Sequence, residues 1–98
     1  MSSIATTAAI DAENSFTDPV QLTGNFNISI SGTFSATVVV QRSFDNSTWH
    51  DVNSFTTAFQ GTGYEPEVVW YRAGVKTGGY TSGTANVRVS YDPQQRLS

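Results

Sequence analysis

The sequence predicts an all-β protein, an antiparallel β-sandwich or small barrel of six to seven short strands. Apolar and polar residues alternate in several runs from residue 26 onward, which is the period of a strand with one buried face. Turn-forming pairs such as Ser31-Gly32 and Gly78-Gly79 separate these runs at intervals of roughly 8–12 residues, as in sandwiches and barrels. Connections this short favour antiparallel neighbours.

Residues 1–18 are predicted to be an extended N-terminal arm. They are rich in Ser, Thr and Ala, and their isolated apolar residues Ile4, Ile10 and Phe16 fit neither helical nor strand spacing. Two interpretations are open: a mobile tail, or an arm that becomes ordered on a neighbouring subunit through these three side chains. The pair Asp18-Pro19 marks the entry to the folded part.

Residues 19–92 are predicted to form one β-sandwich domain, followed by a C-terminal tail over residues 93–98. Gly61 and Gly63 are interpreted as a flexible loop near Tyr64. The alternating sets, each sharing one face of a predicted strand, are in chain order Phe26, Ile28 and Ile30; Phe34, Ala36, Val38 and Val40; Phe55, Thr57 and Phe59; Val69, Tyr71, Ala73 and Val75; and Ala85, Val87, Val89 and Tyr91.

Composition excludes several kinds of chemistry. The chain has no Cys and a single His, His50, which removes disulfides, thiol nucleophiles, Cys-based metal sites and multi-His metal sites. The net charge is -3, and the five basic residues are scattered, whereas a nucleic-acid-binding protein usually has a basic stripe. No secretory signal and no membrane span are expected, and no cofactor motif is found.

The segment from Arg42 to Trp49 is the most specific local feature. Asp45 and Asn46 suit a tight turn, because their short side chains bond nearby backbone and tolerate a left-handed conformation. The segment looks like the Asp-box of many β-proteins, one residue shorter and with Ser47 near the usual glycine. It therefore predicts a structural hairpin. A calcium site that uses Asp45 and Asp51 is less favoured, because such a site needs about 6–8 oxygen ligands and few carboxylates are nearby.

No catalytic group is predicted. His50 lies between Trp49 and Asp51 and is interpreted as exposed or as supporting the turn, because catalysis would need a partner at hydrogen-bond distance. Glu65 and Glu67 flank Pro66, and are interpreted as a solvated rim rather than a glycosidase pair. We therefore expect a protein that is not an enzyme.

The segment from Val68 to Thr84 combines a Tyr-Arg strand, a Gly-rich stretch and a closing strand. It is similar to the final hairpin of fibronectin type III and immunoglobulin-like sandwiches. This resemblance implies that the hydroxyl of Tyr71 bonds backbone, as an anchoring tyrosine does there.

Two longer segments together carry a second resemblance: Gln41-Arg42-Ser43-Phe44-Asp45-Asn46-Ser47-Thr48-Trp49-His50-Asp51-Val52, and the run from Tyr71 to Thr84 that contains Gly79-Tyr80-Thr81-Ser82-Gly83. Over residues 26–91 the chain resembles small structural proteins of tailed bacteriophages. The resemblance implies a virion component of the decoration (cement) type, made in the bacterial cytoplasm. Its expected partners are the major capsid protein or other virion proteins.

These interpretations predict which residues contact a partner or a ligand. The candidates for contact with the capsid or a sister subunit are Ile4, Ile10, Phe16, Trp70 and Tyr80. Two states of the free chain stay open, a monomer and a homo-oligomer such as a trimer. The alternative is a carbohydrate- or receptor-binding module of a tail or fibre. In that alternative, Tyr64, Trp70 and Tyr80 would stack on the ligand.

Overall fold

The computed structural model describes residues 4–92, and all strand pairs within them are antiparallel. These residues contain no helix, so the all-β antiparallel prediction is confirmed. Residues 4–16 and the Gly-rich segment after Val75 add strands beyond the six to seven expected. The nine strands are β1 (Ile4–Ile10), β2 (Ser15–Phe16), β3 (Val20–Ser31), β4 (Phe34–Ala36), β5 (Val38–Ser43), β6 (His50–Phe55), β7 (Phe59–Val75), β8 (Tyr80–Gly83) and β9 (Ala85–Tyr91).

Seven of these strands form one sheet in the order β1-β9-β3-β7-β5-β6, with β2 paired to β7, while β4 and β8 form a separate ribbon. The two long strands divide the main sheet into two layers. Layer A contains β1, β9, residues 24–31 of β3 and residues 59–65 of β7. Layer B contains β2, β5, β6, residues 20–22 of β3 and residues 69–75 of β7.

The long strands pass from one layer to the other at an irregularity. Pairing between β3 and β7 shifts register between Leu22 and Gly24, and Gly24 has φ +77°. A bulge of this kind bends a strand, and glycine adopts the left-handed conformation without strain. On β7, residues 66–68 lie between the two paired stretches.

One hydrophobic core is shared by both layers. Layer A contributes side chains such as Ile30 and Val89, and layer B contributes side chains such as Val40 and Val69, each fully buried. The predicted alternation is therefore correct for these strands. Phe34, Ala36, Phe55, Phe59, Tyr80 and Tyr91 pack against this core from its margin.

The predicted N-terminal arm is corrected by the structure. β1 pairs with β9 over all seven of its residues, and Ile10 is 1% exposed in the core. β2 is fastened to β7 by pairing and by Thr17, whose amide donates to Ala73 O at 2.8 Å. Residues 4–16 are thus part of the sandwich. Residues 1–3 and the predicted tail over 93–98 lie outside the described residues.

The predicted closing hairpin is wrong. The strands before and after the Gly-rich segment, β7 and β9, are separated in the sheet by β3. Between them the chain makes β8, which pairs with β4 through Gly83 and Phe34. The chain therefore crosses from layer B back to layer A instead of turning tightly.

The predicted loop at Gly61 and Gly63 is wrong as well, because both residues are paired within β7. The ring of Phe26 lies over Gly63, where an added Cβ would stand 2.4 Å from its Cζ atom. An aromatic side chain can cover a cross-strand glycine in this way and replace the missing packing. The glycines here accommodate rings and do not break the strand.

Candidate functional site

The three predicted interface residues of the N-terminal segment lie in different surroundings. Ile10 belongs to the core and is not available to a partner. Phe16 is half-buried, and the guanidinium carbon of Arg72 lies 4.2 Å from its ring centroid. Only Ile4, which is 44% exposed, presents a substantial apolar surface to solvent.

The three predicted ligand-stacking residues differ in their exposure and in the strands that carry them. Trp70 and Tyr80 are half-buried, and Tyr80 packs against the core while its hydroxyl donates to Gly83 O at 2.9 Å. Tyr64 is 66% exposed. Tyr80 belongs to the ribbon, whereas the other two are on β7. No ring contact within residues 4–92 joins any two of the three.

A partly buried ion pair lies where β7 passes between the layers. Nη1 of Arg42 is 3.0 Å from Oε2 of Glu65, whose side chain is only 5% exposed. The hydroxyl of Tyr71 donates to the same carboxylate oxygen. Two predictions are corrected here: Glu65 is not part of a solvated rim, and the Tyr71 hydroxyl bonds a carboxylate rather than backbone. Glu67 is exposed, as predicted.

The electrostatics of this cluster keep the Tyr71 hydroxyl protonated. Burial, followed by the hydrogen bond to Glu65 and the charge of that carboxylate, raises the pKa of Tyr71 far above its usual value. The tyrosine therefore stays protonated and acts as a donor. Nε of Arg42 is buried and has no hydrogen-bond partner within the described residues. Glu65 is thus the group that holds Arg42 and Tyr71 in place.

Three large exposed apolar side chains are close to this ion pair in the sequence. Tyr64 and Val68, 66% and 53% exposed, lie on either side of Glu65 along β7. Phe44 is 59% exposed, and the guanidinium carbon of Arg42 lies 5.1 Å from its ring centroid. We group Phe44, Tyr64 and Val68 by their exposure and by their sequence positions near Arg42 and Glu65, and call them the apolar corner. It contains the three most exposed large apolar residues of the described chain.

A groove of about 230 Å³ is lined by Tyr64, one of the three residues of the apolar corner. Its walls include the rings of Tyr64 and Tyr91, with Glu65 at one side and Asp92 at the end of β9. The remaining lining comes from Thr23, Gly24 and Pro66, at the bend of the two long strands. The corner therefore offers both projecting side chains and a recess beside them.

The sequence analysis did not select Phe44 or Val68. A signal for Val68 is present, because the alternation along β7 puts it on the side opposite to the buried Val69 and Tyr71. Phe44 follows the last residue of β5 and begins the turn, where an apolar ring has no core to enter. Apolar residues at such positions indicate a contact surface more directly than aromatic content does.

On the outer face of layer B, the guanidinium of Arg72 is stacked on two aromatic rings. Arg72 lies between the rings of Phe16 and Trp49, at 4.2 and 4.4 Å from their centroids, and its Nε donates to Gln41 Oε1 at 2.8 Å. Burial lowers the pKa of Arg72, although the group stays charged. Trp49 thus packs on Arg72, and this stack joins the N-terminal segment to the β5–β6 hairpin.

The hydrogen bonds continue to the edge strand β6. Nε2 of Gln41 donates to Asp51 Oδ1 at 2.8 Å, and Lys76 Nζ donates to Asp51 Oδ2 at 2.7 Å. The hydrogen bond from Lys76, and to a smaller extent the one from Gln41, lowers the pKa of Asp51. Asp51 is therefore committed to structure, and the calcium role considered for it has no support here.

The turn between β5 and β6 is structural, as predicted. Oδ1 of Asp45 accepts from the amides of Ser47 and Thr48 at 2.9 and 2.8 Å and from the Ser43 hydroxyl at 2.9 Å. Asn46 adopts the expected left-handed conformation, with φ +59°. The bonds from Thr48, Ser47 and Ser43 lower the pKa of Asp45 to about 2.

The remaining titratable groups do not assemble into a recognisable centre. His50 is exposed at the start of β6, opposite Arg42 in the strand register. Within residues 4–92, no three His, Asp or Glu side chains come together as a metal ion would require. The described chain also has no helix able to cross a membrane.

A second, polar recess lies on the outer face of layer A. It has a volume of about 500 Å³, and Gln60 Nε2 donates to Ser29 Oγ within it at 2.8 Å. The lining combines amides, hydroxyls and one guanidinium, from Asn27, Ile28, Ser29, Gln60, Gly61, Thr62, Arg88 and Ser90.

Comparison with known proteins found no relative of this chain. No protein-family model, no curated protein and no solved structure matches the chain.

Proposed function

We propose that this chain is a non-enzymatic structural protein of a bacteriophage virion, a decoration (cement) protein that binds the outer surface of the head and stabilises it. The observation that carries the proposal is the apolar corner. Phe44, Tyr64 and Val68 expose more than half of their surface, and the partly buried ion pair of Arg42 and Glu65 links β5 to β7 near them in the sequence. Exposed apolar groups on a rigid support suit docking onto another protein.

The resemblance over residues 26–91 to phage structural proteins supports the same function and names the partner, the major capsid protein. Many copies on one shell would bind neighbouring subunits at once, so that weak single contacts suffice. The protein would be made in the bacterial cytoplasm and reside on the capsid surface. The contact residues are those of the apolar corner, which replace Ile10, Phe16, Trp70 and Tyr80 of the sequence analysis.

The proposal is tested by mass spectrometry of purified particles of the phage that encodes the chain. A copy number close to that of the major capsid protein is the expected result. A few copies per particle would move the protein to the tail or a fibre, and its absence from particles would overturn the virion assignment.

The contact surface is tested with purified protein added to particles that lack it. The double variant Phe44→Ser and Tyr64→Ser should lose most of its binding, because it removes two exposed rings that the fold does not need. The matched control is Val52→Ser on β6, which changes an exposed apolar residue, 40% exposed, away from the corner. Equal binding by the two variants would exclude the apolar corner as the contact surface.

The alternative, a carbohydrate- or receptor-binding module of a tail or fibre, is favoured by the polar recess on layer A. Amide, hydroxyl and guanidinium groups such as those of Asn27, Gln60 and Arg88 are suited to a polyhydroxylated ligand. A glycan array on which Arg88→Ala removes a signal given by the unchanged protein would support this alternative, and an array without signal would exclude it.

A further inference from the structure

β1 is an edge strand without the features that usually prevent edges from pairing. Within residues 4–92 it pairs with β9 alone, so its second edge has no strand partner. Its sequence, Ile-Ala-Thr-Thr-Ala-Ala-Ile, contains neither charge nor proline, and its pairing with β9 shows no bulge. Natural proteins usually protect such edges with charges, proline or bulges, because an open edge is a template for another strand.

The other open edges carry such protection. β6 contains Asp51, which is bound to Lys76, and its pairing with β5 shifts register between Val40 and Gln41. The first half of β7 ends at the sequence Glu65-Pro66-Glu67, which combines charge with proline. Among these edge strands of the described chain, β1 therefore lacks protection and is suited to pairing with a strand of another molecule.

We propose that β1 joins two copies of this chain, pairing antiparallel with β1 of the second copy about a two-fold axis through Thr7. This register places Ile4 opposite Ile10, Ala5 opposite Ala9, and Thr6 opposite Ala8 of the other copy. The segment is nearly the same read in either direction, which is what an isologous contact requires. The two A layers then form one continuous sheet across the dimer.

The exposure of Ile4 supports this register. Its position in β1 puts it on the same side as the buried Ile10, yet it is 44% exposed. Directly opposite residues of antiparallel strands have Cβ atoms about 4.5–5.5 Å apart, so Ile4 would lie beside position 10 of the second copy and lose exposed surface there, while the side chain of Ile10 stays in its own core. No like charges would face each other, because the strand carries none. This dimer would form in the free protein, whether or not the chain is a virion component.

The test uses two double variants at exposed positions of β1. Ala5→Lys with Ala9→Lys places two lysine pairs face to face across the proposed axis, and sedimentation equilibrium should then show a monomer. Ala5→Lys with Ala9→Glu places opposite charges face to face, and it should keep the dimer shown by the unchanged chain. Circular dichroism confirms that both variants are folded.

A monomeric or trimeric mass for the unchanged chain, or the same mass for both variants, would overturn the proposal. A cross-link provides the second measurement, since the chain contains no cysteine. Oxidised Thr7→Cys should run as a covalent dimer, because residue 7 faces its own copy at the axis. Ser54→Cys on β6 is the control and should remain a single chain; preferential cross-linking at residue 54 would contradict pairing through β1.

Discussion

Glu65 is the residue on which the apolar corner depends for its shape. Its carboxylate accepts hydrogen bonds from Arg42 and Tyr71, and it is almost inaccessible to water. Removing one member of a buried cluster leaves the others without a partner, and this desolvation penalty exceeds the net value of the bonds themselves. The stability of the fold therefore depends more on the presence of all three members of this cluster than on the charges that two of them carry.

Glu65→Ala is expected to lower the free energy of unfolding by about 2–4 kcal/mol, since Arg42 and Tyr71 lose their common acceptor. Urea denaturation at neutral pH measures this change. Glu67→Ala, two residues further and exposed, is the control and should change stability by less than about 0.5 kcal/mol. Equal effects of the two variants would show that the cluster does not stabilise the fold.

Asp45 gives the protein a predicted dependence on acid pH. Its pKa falls from an ordinary value of 3.8 to about 2 in the folded chain, so folding favours the ionised form. The stabilisation is complete above about pH 4 and is lost as the pH falls towards 2. Asp51, whose pKa is also lowered, loses stabilisation in the same direction.

An NMR titration of the Asp45 carboxyl carbon should therefore give a midpoint near pH 2. Asp45→Asn should weaken the decrease in urea midpoint between pH 4 and pH 2, because the variant has no proton to bind at this position. A carboxyl titration near pH 4, together with an unchanged acid sensitivity of Asp45→Asn, would contradict the hydrogen-bonded turn.

Sequence reasoning predicted the role of Asp45 but not that of Glu65, and the difference is physical. The bonds of Asp45 are local, to residues no more than three positions away, so the type of residue and the spacing specify them. Arg42, 23 residues from Glu65, is brought to it by the pairing of β5 with β7, and Tyr71 lies six residues away on β7 itself. A burial that arises from such pairing has no signature in the local sequence.

At the scale of elements, β7 illustrates how glycine permits close contact between strands. An added Cβ at Gly74 would stand 2.1 Å from the carbonyl oxygen of Ser15 and 2.6 Å from Cα of Phe16. These are backbone atoms of β2, which cannot move without leaving the sheet. At Gly61 the same addition meets only the tip of the Phe59 ring.

Gly74→Ala is therefore expected to detach β2 and to lower the free energy of unfolding by about 2 kcal/mol or more. Hydrogen exchange measures the first effect, because the amide of Thr17 would lose its bond to Ala73. Gly61→Ala is the matched control, and a smaller loss is expected there because a side chain can rotate away. A protected Thr17 amide in Gly74→Ala would argue against this packing.

The elements that sequence reasoning identified correctly are those with a regular alternation. Ile28 and Ile30 alternate with polar residues, and the strand that contains them forms as predicted. β1 was missed because only one of its ends, Ile10, is deeply buried, and an edge strand needs few apolar residues to pair. The order of strands was not predictable, since the segment after Val75 leads into the ribbon before the chain returns to layer A.

At the scale of the whole molecule, the two layers share both their core and their backbone. β3 and β7 each run through layer A and layer B. Each layer is therefore built partly from strands that continue into the other layer. Ile30 in layer A and Val40 in layer B belong to the same buried cluster. Separate unfolding of one layer would expose the core of the other, which favours a single cooperative transition.

This cooperativity can be measured because both tryptophans report on layer B. Trp70 lies in the second half of β7, and Trp49 packs on Arg72. Ile30→Val, a change confined to layer A, should still lower the stability read from tryptophan fluorescence by about 1 kcal/mol. The transition read from far-ultraviolet circular dichroism should shift by the same amount.

The control for this prediction is Val52→Ala, which removes apolar atoms at an exposed position and should leave both transitions within about 0.5 kcal/mol of the unchanged chain. If Ile30→Val shifted the circular dichroism transition but not the fluorescence transition, the layers would unfold independently. The long strands would then act only as links between two separate sheets. Coincident shifts would instead mean that a partner bound at the apolar corner, where β7 passes between the layers, stabilises both layers at once.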